Sequence, residues 1–238
     1  TAATVGLVPL PAAKALLTLE FDNLLDALGA TPLVLTHGPS AVEVMDAFIL
    51  SHAKGHPTLD GALRQIVTGD QPTLLCVEFY GDHLDDVIPR MQALERDLAQ
   101  AGVRCQARHL IDAVAQARVW HVRESSLGLS MGMTGDAKAI SFVEDTAVAP
   151  ERLRDYIARF RQVVARRGTQ AGVYAHASVG CLHVRPVLNM KGDGRIRMRA
   201  IAEEAADLVR RYKGAYSGEH GDGLVRSEWI APFFGPRL

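Results

Sequence analysis

The sequence predicts an α+β fold: a mixed, largely antiparallel sheet with helices packed on one face. Three observations predict it. Apolar runs of strand length alternate with stretches of helical periodicity. Short segments rich in Gly, Pro and Asp separate them. Hydrophobic residues make up 48% and charged residues 22% of the 238 residues, the balance of an ordinary globular protein long enough to bury a sizeable core.

The elements follow in order. Residues 13–21 (Ala-Lys-Ala-Leu-Leu-Thr-Leu-Glu-Phe) form a buried strand, and Asp22 is placed to cap a short helix over 23–29. A strand near 32–36 precedes a helix from Ser40 to His52, whose Val42, Met45, Phe48 and Ile49 share one face. Residues 52–71 are a connection with a helical turn at 61–67. Thr73–Phe79 is a strand, and Asp82–Gln100 is a helix ending at Gly102. Arg104–Leu110 is a second strand, followed by helix 111–127 and a Gly- and Met-rich loop over 128–138. Ile140–Glu144 is a third strand. Pro150 opens a helix to Arg167, closed by Gly168. Val173–His176 and Leu182–Pro186 form a last strand pair, and helix 196–213 ends at Gly214. This order suggests a ferredoxin-like unit with additions. The chain divides into an N-terminal portion, 1–71, and a ferredoxin-like unit, 72–238. There is no short-period repeat and no low-complexity segment.

Bulk properties exclude several classes. A net charge of -1 gives no reason to expect nucleic acid as a partner. No apolar run approaches the 18 or more residues of a membrane span. The three cysteines, Cys76, Cys105 and Cys181, are odd in number and dispersed, which fits a reducing cytoplasm better than a disulfide framework. They also lack the clustered spacing of an iron–sulfur site. No Gly-x-Gly-x-x-Gly turn or Walker loop is present.

Chemistry concentrates near the C-terminus, in His176-Ala-Ser-Val-Gly-Cys-Leu-His183 and Ser217-Gly-Glu-His-Gly-Asp-Gly223. Two imidazoles and a carboxylate are the ligand set of a divalent metal that keeps an open position. His176, His183 and Glu219 supply that set, and His220 is left over as a general base. Seven residues apart, the two histidines would face opposite sides of one unbroken strand. A turn at 178–180 between two short strands removes that objection. The alternative is two strand-end histidines satisfied by backbone or water. For the second segment the alternative is a glycine-rich surface turn, although glycines there also permit close backbone approach. Arg185 shares the strand face of His183 and could hold an acidic substrate or pair with a surface carboxylate.

These paired motifs resemble the C-terminal half of the FAD-linked oxidase family, which includes D-lactate, glycolate and D-2-hydroxyglutarate dehydrogenases. Many members carry His-x-Gly-Asp-Gly-Asn-Leu-His and, some 35 residues on, Gly-Glu-His-Gly. Here both histidines, Gly180, Leu182, Glu219 and His220 match, whereas Val179 and Cys181 replace the family's Asp and Asn. The variant is similar to the subgroup fused to an iron–sulfur half. The resemblance covers the chain from Val8 to the end. It implies a ferredoxin-like domain capping a flavin, with FAD held mainly by a domain absent from this chain. Trp120-His-Val-Arg-Glu124 resembles the family's Trp-x-x-Arg-Glu, which implies that Arg123 holds the substrate carboxylate; a guanidinium pairs bidentately with such a group. A substrate lysine used by some members falls near Val143, leaving Lys138 as a substitute. Gly218 and Gly221 are the expected points of cofactor approach.

Taken together, the expectation is a cap domain of an FAD-dependent 2-hydroxy acid dehydrogenase, with zinc or a similar divalent ion on His176, His183 and Glu219. An iron–sulfur cluster would belong only to the full-length protein. Partners would be a small 2-hydroxy acid, the chain's own FAD-binding domain, an electron acceptor and, in one arrangement, a second copy. The chain opens without Met and is expected to be a piece of a longer cytoplasmic protein, with peripheral association to the inner membrane left open. Two alternatives stand beside this: a non-catalytic docking domain, and a metal-dependent hydrolase using the same ligands, though no His-Glu-x-x-His is present.

Overall fold

The computed structural model describes residues 2–69 and 72–235. The elements are β1 (Ala13–Phe21), α1 (Leu24–Leu35), β2 (Ala41–Met45), α2 (Ala47–Ala53), α3 (Asp60–Ile66), β3 (Thr73–Gly81), α4 (Leu84–Gln100), β4 (Gln106–Leu110) and α5 (Ala113–Glu124). Then come α6 (Ser126–Met131), β5 (Ala137–Ala139), β6 (Thr146–Ala147), α7 (Leu153–Arg166), β7 (Ala171–His176), β8 (Cys181–Asn189), α8 (Gly194–Arg211), α9 (Gly223–Arg226) and α10 (Ile230–Phe234). Among the described residues no helix is long and apolar enough to cross a membrane.

All described strand pairings are antiparallel. The order across the sheet is β4-β1-β3-β2-β7-β8-β5, with β6 also paired to β8. The ferredoxin-like order therefore begins at Ala13 and not at 72. β1 finds both its neighbours, β3 and β4, beyond the expected boundary, because its edges can be satisfied only by strands that arrive later in the chain. Residues 70 and 71 at that boundary lie outside the described residues. The sheet then continues past β2 into β7 and β8.

Two local expectations change. The strand near 32–36 is the end of α1, and the helix from Ser40 is strand β2 followed by the short α2. Pro32 sits inside α1, where it removes one helical hydrogen bond, but burial of Leu28, Thr31 and Val34 on the core side outweighs that loss. In β2 the alternation of Val42 and Val44 with Glu43 and Met45 fills both faces of the sheet. Asp46 stops the strand. Its carboxylate accepts from the N–H of Ile49 at 2.9 Å, capping α2, and from the N–H of Val173 at 2.9 Å, tying β2 to β7.

The third expected strand, 140–144, is also interrupted. The chain runs beside β8 there: Ile140 donates its N–H to the Pro186 carbonyl at 2.9 Å and Asp145 to Leu182 at 2.7 Å. Pro186 has no N–H to return, and Asp145 has φ 76°. Only the flanking β5 and β6 form regular ladders.

Strand periodicity sorts the core into two layers. Ala15, Leu17, Leu19 and Phe21 of β1 face α1, α4, α7 and α8, while Leu16, Met45, Leu74 and Cys76 face the other way, toward α2, α3, α5 and α6. This second helical layer is shorter. It leaves part of the sheet face over β7 and β8 uncovered, and the polar residues gather there.

The β7–β8 turn sits at residues 177–180, where expected. Gly180 has φ 73°, and a Cβ there would overlap the Val148 carbonyl oxygen. Gly180→Ala is therefore expected to destabilise the fold by about 3 kcal/mol or more, from backbone strain plus an unavoidable clash. Urea unfolding of the variant against wild type checks this.

Candidate active site

The hairpin pairs His176 with Cys181 and Tyr174 with His183. Residues two apart on a strand share a face, so Tyr174, His176, His183 and Arg185 all project to the uncovered side. The His176 and His183 rings meet edge to face with centroids 5.1 Å apart. His183 stacks on Tyr174 at 4.6 Å and on His220 at 5.4 Å. From the loop after α8, Glu219 Oε1 lies 3.5 Å from His176 Nε2, 3.3 Å from His183 Nε2 and 2.9 Å from His220 Nε2. One donor atom from each of His176, His183 and Glu219 lies within 4.8 Å of the others. That is the convergence a tetrahedral metal with an open position requires.

Two arginines complete the pocket. Arg123, on α5, donates from Nε at 2.8 Å and Nη2 at 2.7 Å to Glu43 Oε2, and lies over the Tyr174 ring at 4.8 Å. Arg185 Nη2 donates to Glu144 Oε2 at 2.5 Å and to the Tyr174 hydroxyl at 2.7 Å. Arg123, Glu144, Tyr174, His176, His183, Arg185, Glu219 and His220 line one pocket of about 480 Å³, with Leu127, Met131 and Ser141 on its rim. A larger cleft of about 940 Å³ beside α2, α3 and α7 contains none of the site histidines or Glu219.

Residues 10–238 match the family FAD linked oxidases, C-terminal domain. The chain belongs to that family. Among curated relatives of this FAD-linked oxidase domain, the D-2-hydroxyglutarate dehydrogenase of Pseudomonas putida is 34% identical over 98% of this chain and 24% of its own length. That of Escherichia coli is 32% identical over 100% of this chain and 24% of its own. The chain thus spans about a quarter of the length of these relatives. A D-lactate dehydrogenase of Anaerostipes hadrus is 20% identical over 99% of this chain and 50% of its own. The fold matches p-cresol methylhydroxylase at a TM-score of 0.66, 15% identity, over 96% of this chain and 48% of that one. It also matches 4-ethylphenol oxidase of Gulosibacter chungangensis at 0.61, 14% identity, over 94% and 49%.

In this FAD-linked oxidase domain the predicted residues Arg123, Arg185, His176, His183, Glu219 and His220 share one pocket. Lys138 does not line it. Its ammonium, on β5, donates to the Met133 carbonyl instead; Lys138 pairs with Leu188, a residue of the core layer on the face opposite the site histidines. Gly218 has a packing reason of its own, since a Cβ there would lie 2.8 Å from Cys181 Sγ. Gly221 adopts φ 74°. Burial, aided by its hydrogen bond to Asp145, pushes the Cys181 thiol up to about 12, which keeps it protonated at neutral pH.

Sequence reasoning missed Glu43, Glu144, Asp145 and Tyr174. Glu43 bridges two predicted residues. Its Oε1 lies 2.7 Å from His176 Nδ1 and its Oε2 holds Arg123. A carboxylate on one imidazole nitrogen fixes the tautomer and turns the other nitrogen toward the pocket. Glu144 holds Arg185 and approaches His220 Nδ1 at 3.7 Å.

The histidines titrate in opposite directions. The hydrogen bond to Glu43 raises His176 above its ordinary value against the opposing effect of burial. Burial, followed by the positive charge of His176, Arg123, His220 and Arg185, pushes His183 down to about 3. His183 is therefore a neutral imidazole with a lone pair to offer at any physiological pH. Below pH ~6.5 the unfolded chain takes up a proton at this residue that the folded chain refuses until about 3. Stability due to His183 is thus complete above pH ~6.5 and is lost as pH falls. Between pH ~6.5 and ~4.5, wild type should lose about 2 kcal/mol more stability than His183→Gln; paired urea titrations at the two pH values test this.

Proposed function

We propose that this domain carries the substrate-oxidising face of an FAD-dependent 2-hydroxy acid dehydrogenase, of the D-2-hydroxyglutarate type to which its relatives belong. One observation carries the metal part of the reading. Each site arginine is matched to a carboxylate, Arg123 to Glu43 and Arg185 to Glu144. The Glu219 carboxylate, by contrast, has no arginine or lysine partner among the described residues; its side-chain ion-pair partners there are the imidazoles of His176, His183 and His220. An anion ringed by imidazole nitrogens, one of them neutral, fits a divalent cation. Zinc or another first-row ion suits this mixed N/O set.

His176, His183 and Glu219 would hold that ion. When bound, the metal supplies Lewis acidity to the substrate hydroxyl, and FAD supplies the acceptor for the hydride. The chain's own residues do the rest. Arg123 keeps Nη1 out of its contact with Glu43 and presents it to the substrate carboxylate. Arg185, buried beside Tyr174, adds positive charge for an acidic substrate. His220, bridged between Glu219 and Glu144, accepts the hydroxyl proton as the alcohol becomes a carbonyl. Lys138 is left out of this set in the present conformation. Gly218 and Gly221, on the exposed loop, are where the flavin would approach. The flavin itself would be held mainly by a region outside this chain, so the isolated domain is expected to bind metal without turnover. Electrons collected on the flavin require a separate acceptor. The three free cysteines fit a cytoplasmic setting.

Two outcomes are expected. Elemental analysis should find near-stoichiometric divalent metal in wild type and little in a His176→Ala/His183→Ala variant. In the intact enzyme, His220→Ala should keep its metal but slow flavin reduction by a 2-hydroxy acid about 10²–10⁴-fold, followed by stopped-flow absorbance. A wild-type rate in His220→Ala would remove the base assignment.

A further inference from the structure

We infer that Asp145 is the positioning residue that sets the 217–220 loop and so aims Glu219 and His220 into the pocket. The loop has no regular structure, and its functional side chains are half exposed. Something must fix its backbone. Asp145 is fully buried. Its Oδ1 accepts from the N–H of Glu219 at 2.8 Å, and its Oδ2 accepts from the N–H of His220 at 3.0 Å and from the Ser217 hydroxyl at 2.5 Å. Its backbone carbonyl accepts from the N–H of Gly218 at 2.6 Å. The hydrogen-bonded N–H groups of three successive residues, 218 to 220, therefore end on this one residue.

The other side of Asp145 is anchored to the sheet that carries the histidines. Its N–H donates to Leu182 at 2.7 Å, one residue from His183, and Cys181 Sγ lies 3.4 Å from Oδ1. Arg226 steadies the arrangement from behind: its Nη2 lies 3.4 Å from Oδ2, and its guanidinium donates to the Glu144 and Gly221 carbonyls. One buried carboxylate thus fixes the distance between the hairpin histidines and the Glu-His loop. The chemistry demands Asp. An ionised carboxylate is acceptor only, with an oxygen for each N–H, whereas Asn would turn an amide NH₂ toward one of them. Asp145 also occupies φ 76°, a conformation that Asn tolerates and most side chains do not. Asp145→Asn therefore removes the second acceptor without disturbing the local backbone.

The metal readout rests on the proposed function; the loop readout does not. In the intact protein, Asp145→Asn is expected to weaken zinc binding about 10–100-fold and to change the visible absorption of the cobalt(II)-loaded site, with the urea midpoint measured alongside. Hydrogen–deuterium exchange of metal-free protein, read on the peptide spanning 217–223, should rise about tenfold or more at the amides of Glu219 and His220. Unchanged exchange at these amides in Asp145→Asn overturns the inference. Faster exchange in a protein that never binds zinc supports the inference while removing the metal reading. If Asp145→Asn fails to fold, Ser217→Ala decides: it removes one contact to Oδ2 and should raise loop exchange and weaken zinc about two- to tenfold. No change in either quantity overturns the inference.

Discussion

Pairing of β7 with β8 puts Tyr174 opposite His183, and the pocket depends on that register. A slip of β8 by one residue against β7 would turn His183 and Arg185 into the apolar layer against α7 and α8, and bring Leu182 and Val184 to the pocket face. The register is held at both ends. At one end the tight turn at Gly180 packs against the Val148 carbonyl. At the other, Asp46 joins β7 to β2 through the N–H of Val173. The same alternation that buries the core therefore delivers the polar cluster, and stability and function share one constraint. The helical layer on this side covers only part of β7 and β8, which leaves the cluster accessible.

Gathering so many ionisable groups in one half-buried pocket is costly unless each is compensated. The structure meets this by pairing. Arg123 with Glu43, Arg185 with Glu144 and Arg226 with Asp145 are each buried ion pairs made up of one cation and one anion. Tyr174 sits between the two pocket arginines, its ring face toward Arg123 and its hydroxyl toward Arg185, where a π-face offsets part of their desolvation. Such pairs add little net stability, since removing both partners together often costs nothing. Their value is geometric: they fix where guanidinium and imidazole groups point.

Much of this was legible in the sequence and some was not, for identifiable reasons. The hairpin was legible because its histidines, its glycine turn and its apolar positions all demanded the same geometry. The long helices announced themselves through periodicity and caps. Glu43 was hidden because Ala-Val-Glu-Val-Met-Asp-Ala-Phe-Ile-Leu satisfies a helical stripe as well as a strand. Only the sheet's need for a neighbour between β3 and β7 decides the matter. Glu144 and Asp145 were hidden for a different reason. They sit where a strand breaks, and the break follows from Pro186 on the adjoining strand, a partner more than 40 residues later. Lys138 shows the converse. A lysine at a suitable spacing points wherever its strand sends it, here to the Met133 carbonyl.

The missed residues share a property. Glu43, Glu144 and Asp145 are not among the residues proposed to meet metal or substrate; each holds one that is. Glu43 orients His176 and Arg123, Glu144 orients Arg185 and approaches His220, and Asp145 fixes the backbone of Glu219 and His220. Residues that would touch metal or substrate form compact motifs, since their chemistry constrains type and spacing. Their supports come from whichever strand happens to lie alongside, so no local pattern marks them. Every cationic group of the pocket with a fixed charge has its own carboxylate, which leaves Glu219 as the anion whose neighbours are imidazoles. Glu219 is thereby left to a ring of imidazole nitrogens, the arrangement that the proposed cation site would use. The sheet register, the buried pairs and the Asp145 anchor all serve to keep those nitrogens and that carboxylate converged.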